Sequence, residues 1–429
     1  MTFKFETSRA FARSLDEADS LNGLRQEFNF PEAQNGCHPV YFCGNSLGLQ
    51  PKLAVRYVEE ELEDWGRLGV DGHFRARRPW LPYHRLATAG LAELTGACDR
   101  EVVAMNTLTV NLHLMMTTFY RPTAARHKIL IESTAFPSDR FAAVSQIRMR
   151  GFDPAAALIE WQPRAGETDL RMDDLAAILH ASGDEIALLL LPGVQFYNGQ
   201  LLDMPEICRL AAQKGCAVGL DLAHAIGNVA LCLHDWAPDF AVWCSYKYLN
   251  GGPGAIGGAF VHARHLDVGG SGALLGWWGH DERSRFRMAP TFEPAQGAEL
   301  WQLSNPPILS LAPVLASLEL FGKAGMGKLT EKSAQLTAYL DFLLQHQLAS
   351  VISSITPKHA RGCQLSLVVA HTRLDPRAVF AKLEEQNVIV DWREPNVIRA
   401  APVPLYNSFE DVFEFVQRLK TAVAVETAA

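Results

Sequence analysis

Residues Ala241 to Phe260 read AVWCSYKYLNGGPGAIGGAF: an apolar run, a single lysine, and then a glycine-rich run. Phe240 to Cys244 is short and rich in β-formers, so it predicts a buried strand, whereas Gly251 to Gly258 cannot hold regular structure cheaply. Lys247 therefore falls just past a strand's carboxyl end, beside Tyr246. A lysine partly stripped of water there gives up its proton readily and can form a Schiff base. Most lysines are surface loop residues, and this segment alone leaves both readings open. The glycines lack the GxxxxGK[ST] order and follow the lysine, so tight turning and close backbone approach suit them better than binding a nucleotide.

Working outward, Cys216 to Leu222 (CAVGLDL) is a second apolar run that ends at Asp221, 26 residues before Lys247, and is followed by His224. In open α/β sheets ligands bind at the carboxyl ends of strands, so Asp221, His224 and Lys247 are predicted to share one crevice. Asp221 alone would also serve as a helix N-cap. The acid and lysine at this spacing match fold-type I pyridoxal phosphate enzymes, in which a lysine bonds the cofactor and a carboxylate keeps its pyridine nitrogen protonated.

The resemblance then narrows. YFCGNSLGLQPK (Tyr41 to Lys52), AFPSDR (Ala135 to Arg140), DLAHAIGN (Asp221 to Asn228), SYKYLNGGPG (Ser245 to Gly254), GWWGH (Gly276 to His280), LSNPP (Leu303 to Pro307) and REPNVIRAAPVPLYN (Arg393 to Asn407) together resemble kynureninase. The DLAH and lysine segments are shared with aminotransferases and cysteine desulfurases. GNSLGLQPK, GWWGH and SNPP in this order are far more specific.

The resemblance implies an α/β, fold-type I transferase-like chain. A large domain with a mainly parallel sheet flanked by helices (51–315) would join a smaller C-terminal α/β domain (316–429), with 1–50 as an N-terminal arm and part of the small domain. It implies pyridoxal 5'-phosphate, a homodimer with active sites at the subunit interface, and hydrolytic Cβ–Cγ cleavage of kynurenine or 3-hydroxykynurenine. Lys247, Asp221 and Tyr246 would be catalytic. Leu108, Thr109, Phe136, Ser138, Asp139, His224, Trp277 and Asn305 would contact the cofactor. Ser46, His73, Trp278, Ser304, Asn305 and Arg399 would contact substrate, with His73 and Asn305 able to bond a ring hydroxyl and so favouring the 3-hydroxy substrate. Pro192 departs from the family, in which a small hydroxyl residue often stands there. The rival readings are an aminotransferase, a desulfurase using Cys363 as a mobile nucleophile, and a cofactor-binding sensor without turnover.

General properties fit a cytosolic metabolic enzyme. The 429 residues, 48% of them hydrophobic and 20% charged, describe an ordinary globular protein with a large core. A net charge of -8 offers no basic footprint for nucleic acid or an anionic membrane. The opening MTFKFETSRAFARSLDEADS lacks an apolar signal core, and the longest apolar run, Ile186 to Leu191, is too short to cross a bilayer. Eight cysteines without CxxC pairs argue for a reducing compartment, and no metal site is expected.

Local patterns complete the reading. The first forty residues look helical and polar, an arm over the main body. After Pro51, Val55, Val58, Leu62 and Trp65 recur at helical spacing, so Glu59, Glu60, Glu61, Glu63 and Asp64 are expected on a solvated face. Leu108 to Phe119 reads as a helix whose start, Asn106 to Thr109, has the free N–H groups that bind phosphate. Strands are expected at Lys128 to Glu132, Ile186 to Val194, Gln364 to Ala370 and Val388 to Asp391, and helices from Leu311, over Ser333 to Leu348 and over Asp375 to Gln386. Arg399, in a strand-like run, supplies the fork a carboxylate needs, or a rim salt bridge.

Overall fold

The computed structural model describes residues 5–33, 36, 38–266 and 272–428. Its centre is a seven-stranded sheet of β1 (Val102–Ala104), β2 (Lys128–Glu132), β3 (Leu158–Trp161), β4 (Ile186–Pro192), β5 (Ala217–Asp221), β6 (Phe240–Cys244) and β7 (Gly257–Val261), in the order β1-β7-β6-β5-β4-β2-β3. Only β7 runs antiparallel to its neighbours. β2, β4, β5 and β6 are apolar on both faces because helices cover the sheet on both sides, as a buried parallel sheet requires. The sheet stops β4 at Pro192, which has no N–H to continue the ladder. The next residue's N–H, on Gly193, donates to the Asp221 carbonyl at 2.8 Å, so the proline leaves this strand end satisfied.

The C-terminal part holds a second sheet, β8 (Ile352–Ser354), β9 (Leu365–Val369), β10 (Asp391–Arg393) and β11 (Val397–Ala400), in the order β8-β9-β11-β10 and antiparallel throughout. The strand expected over Val388 to Asp391 is split: Val388–Ile389 pairs in parallel with Val40–Tyr41, and Asp391 begins β10. The amino-terminal arm is shared between the two parts, with Leu21 and Phe28 packed in the main core. Its helix α1 (Arg9–Ala18) lies on the C-terminal helix Phe409–Ala428 rather than on the main body, and the Asp16 carboxylate accepts from the free Phe409 and Glu410 N–H groups at 2.7 and 2.9 Å. The long helix Ile308–Ala324 passes unbroken through 315 and 316, and the chain turns at Gly325, where φ is +76°.

The largest correction concerns α2 (Lys52–Leu68). Glu59 and Glu63 are exposed as expected, but Glu61 and Asp64 face inward, each 1% exposed, whereas Val55, Leu62 and Trp65 of the apolar stripe are 42, 45 and 61% exposed. The reason is the arginine-rich stretch that follows. Glu61 accepts from Arg78 Nε at 2.6 Å, Trp80 Nε1 at 2.9 Å and the Tyr83 hydroxyl at 2.9 Å, while Asp64 takes the Arg77 backbone N–H at 2.6 Å. Periodicity located the stripe and left open which side meets the protein. Replacing Glu61 by Ala should leave the buried Tyr83 phenol without its acceptor and take one of two carboxylates from Arg78, at a cost of about 3 kcal/mol, read from the urea-unfolding midpoint.

Candidate active site

β5 and β6 lie side by side and in parallel, so their carboxyl ends deliver Asp221 and, three residues past Cys244, Lys247 to one crevice. Lys247 is half-buried, and its Nζ lies 2.8 Å from His224 Nε2. Burial, with the Lys247 charge second, holds His224 well below the usual histidine range, so the ring is neutral and its Nε2 accepts from the lysine. The ring's proton then sits on Nδ1, a buried atom with no partner among the described residues. Asp221 accepts from the Ala223 N–H at 2.7 Å, the turn role its position allowed, though no helix follows it. Its carboxyl also meets that of Asp139, whose Oδ1 is buried without a partner.

Two acids in contact under burial cannot both ionise cheaply. Burial and then the Asp221 charge raise Asp139 well above the ordinary range. Glu132, at the end of β2 and buried, joins the same group: burial, opposed in part by its own backbone N–H and reinforced by Asp221, pushes it up to about 8. Glu132 was not singled out in the sequence, where it is one acid at the end of an apolar run.

Helix α3 (Leu108–Phe119) starts at the same edge because β1, which leads into it, runs in the same direction as β6. Thr107, its N-cap, makes no side-chain cap, so the first N–H groups stay available. The Thr109 and Ser138 hydroxyls lie 2.8 Å apart, Ser138 coming from the start of helix α4 (Pro137–Met149). Phe136, immediately before it, is 41% exposed and faces the crevice, with Lys247 Nζ 5.9 Å from its ring centre and Phe196 edge-on at 5.2 Å. Tyr246 is half-buried, and burial raises its phenol so that it stays protonated.

Arg399, on β11, is 1% exposed and ion-paired with Asp391 directly across the ladder. Its Nη1 donates to the Phe196 carbonyl at 2.8 Å, and its Nε is left without a partner. It is therefore neither a rim residue nor free: Asp391, shared with Arg393 at 3.0 Å, already holds one side of the fork. Phe196 and Asp391 escaped the sequence reading. The short β10–β11 hairpin was the signal for Asp391; a carbonyl contact such as that of Phe196 leaves none. Ser46 lies in the turn 43–48, whose Gly48 N–H donates to the Tyr246 carbonyl at 2.8 Å.

The other candidates are not brought to Lys247 within one chain. His73 lies beyond α2, edge-on to Trp80 at 5.5 Å, with Nδ1 unpartnered. Trp278 is buried beneath the Arg285 guanidinium, while Trp277, Ser304 and Asn305 are exposed. Gln302, just before the serine, reaches the Ala104 carbonyl at 3.5 Å, which puts Ser304 and Asn305 near the edge of the sheet where α3 begins. Cys363 is fully buried, its N–H donating to Asn228 at 2.9 Å and its thiol pushed up to about 12 by burial. It is no mobile nucleophile.

Residues 329–419 match the family model of the kynureninase C-terminal domain. Over 420 residues the chain is 53% identical to a kynureninase of Myxococcus xanthus strain DK1622, covering 97% of this chain and 98% of that one. The chain belongs to the kynureninase family. A kynureninase of Koribacter versatilis is 51% identical over 96% of this chain and 97% of its own, and one of Xanthomonas campestris strain B100 is 54% identical over 97% and 98%. Among solved structures, a mutant of C-DES with glycine covalently linked to its PLP cofactor superposes with a TM-score of 0.75 at 19% identity, covering 89% of this chain and 96% of that one. A cysteine desulfurase of Escherichia coli gives 0.74 at 16% identity, covering 95% and 99%. These likenesses establish the fold-type I architecture, which kynureninases thus share with desulfurases.

The buried acids also set a pH dependence. A carboxyl raised from 4.5 to about 8 on folding binds its proton more tightly in the folded state, so between those values stability falls as pH rises. Glu132→Gln should flatten the decline in thermal midpoint between about pH 5 and 8 relative to the parent.

Proposed function

We propose that this chain hydrolyses the Cβ–Cγ bond of L-kynurenine, of 3-hydroxy-L-kynurenine, or of both, giving anthranilate or 3-hydroxyanthranilate and L-alanine. The observation that carries the reading is the convergence, in a chain of this family, of Lys247 on His224 beside the Asp221–Asp139 pair. The cofactor is pyridoxal 5'-phosphate, which when bound supplies an electron sink for the bonds to the substrate's α-carbon. The chain fits it. The unpartnered Asp139 Oδ1 and His224 Nδ1, the uncapped start of α3 and the paired Thr109 and Ser138 hydroxyls are polar groups in want of a ligand.

In this reading the Leu108 and Thr109 N–H groups and the two hydroxyls hold the phosphate. Asp221, with Asp139 beside it, would hold the cofactor's pyridine nitrogen in its protonated form. Phe136 and the neutral His224 would flank the cofactor's ring. Lys247 Nζ would hold the cofactor and, when free, would serve as the base for the proton on the substrate's α-carbon. Tyr246 relays a proton from its hydroxyl. Arg399 holds the α-carboxylate through the part of its fork that Asp391 leaves. Water adds to the γ-carbonyl carbon, the Cβ–Cγ bond breaks, and the aryl acid leaves before alanine.

Ser46, His73, Trp277, Trp278, Ser304 and Asn305 complete the aryl and cofactor pocket across a homodimer interface. The outward stripe of α2 supports that interface: Val55, Leu62 and Trp65 continue through Val70 and Phe74, beside His73, and Leu309, close to Asn305, is exposed too. An apolar face of this kind marks an association surface. The domain division follows the turn at Gly325 rather than 315/316, with 1–50 belonging to the small domain in part. We place the enzyme in the cytoplasm, where the seven described cysteines would persist as the free thiols they are. Among the described residues no single helix is long and apolar enough to cross a membrane.

The test is alanine release from kynurenine and, separately, 3-hydroxykynurenine by the purified yellow holoenzyme. Steady release from either substrate is expected, and a yellow protein that frees none would overturn the reading. Lys247→Ala should lose the cofactor's visible absorbance and about three or more orders of magnitude in kcat. Trp65→Glu should shift the sedimentation coefficient from dimer toward monomer and lower activity in parallel.

A further inference from the structure

We infer that Cys98, Glu101 and His234 form a zinc site at the end of the sheet remote from Lys247. Sequence spacing gives no hint of it, because His234 lies 136 residues from Cys98. Three strands bring them together. Glu101 immediately precedes β1, the turn Leu233–Trp236 leads into β6, and Ala263 follows β7, the strand between them.

The three donor atoms lie within 4.8 Å of one another. Cys98 Sγ is 3.6 Å from His234 Nδ1, and that nitrogen is 3.0 Å from each Glu101 oxygen. A tetrahedral zinc, with bonds of about 2.3 Å to sulfur and about 2.05 Å to nitrogen, spaces those two donors about 3.6 Å apart; nitrogen and carboxylate oxygen would stand about 3.3 Å apart. The first separation is already met, and the second opens by a few tenths of an ångström.

The carboxylate is fixed before any metal arrives. Glu101 Oε2 accepts from the Cys98 N–H at 2.8 Å and Oε1 from the Ala263 N–H at 2.7 Å, which leaves each oxygen a further lone pair. A histidine touching a carboxylate is an ordinary ion pair, and Glu101 by itself is a cap. The thiol on the same imidazole nitrogen is what turns the pair into a soft, three-donor set, and thiolate plus carboxylate would neutralise a divalent ion. His262 stacks on His234 at 5.5 Å, but its Nε2 bonds the His234 carbonyl at 3.2 Å and its Nδ1 accepts from the Arg264 N–H at 3.1 Å. It is not a fourth ligand, so that position goes to water. Cys98 and His234 are exposed, so the ion enters without opening the fold.

β6 spans five residues, so the site stands about 17 Å from the reacting end. It is a clamp rather than a second catalytic centre. It ties the segments that feed β1, and hence the start of α3, to those that feed β6 and Lys247.

The test uses chelator-treated holoenzyme titrated with Zn2+ against a chromophoric competitor. One equivalent per chain should bind and raise the thermal midpoint. Cys98→Ser and His234→Asn should each weaken that binding about tenfold or more while leaving basal alanine release unchanged. Absence of stoichiometric binding, or binding undiminished in both variants, overturns the site. Co2+ added to the unaltered chain should develop a thiolate charge-transfer band, and failure to do so overturns the site even where a variant does not fold.

Discussion

Carboxylates resist leaving water, and this fold gathers three of them, two from strand ends and one from a helix start, and then buries them. Glu132, Asp139 and Asp221 are tolerated because protons are retained among them and because Lys247 stands close by. The arrangement stores an unmet demand for positive charge. A cationic nitrogen brought into the crevice would answer it. The parallel sheet is what makes such a concentration possible, since it aims the ends of β2, β5 and β6 the same way.

Much of this was legible. The apolar runs ending in Asp221 and Lys247, and the helix over Leu108 to Phe119, appear where periodicity and strand-end logic put them, because those segments are covered by helices and their apolar pattern is uninterrupted. What escaped depends on contacts between distant segments. Asp391 opposite Arg399 is a matter of hairpin register; Glu132 became significant only once β2 lay two strands from β5.

Helix α2 shows the limit most clearly. A hydrophobic stripe states that one side of a helix wants an apolar partner and not who the partner is. Here the other side is satisfied within the chain, with Arg77, Arg78, Trp80 and Tyr83 closing over Glu61 and Asp64, and Val55, Leu62 and Trp65 stay exposed. Glu61 thereby fixes which residues of the helix are presented outward.

The turn 43–48 sits against the backbone of Lys247, and Gly48 has no room for a side chain there, since an added Cβ would stand 2.3 Å from the Lys247 carbonyl. The strand just before it is completed from the far end of the chain: Phe42 donates to Ile389 at 2.8 Å and receives from Ala401 at 2.8 Å. Synthesis from the ribosome therefore delivers this piece first and seats it last. The central sheet can assemble while the chain is still emerging, but the floor beneath the lysine is laid only when residues near 400 are free to pair. The turn against the Lys247 backbone is thereby tied to strands made near the end of synthesis, and a chain stopped before Ile389 lacks both backbone partners of Phe42.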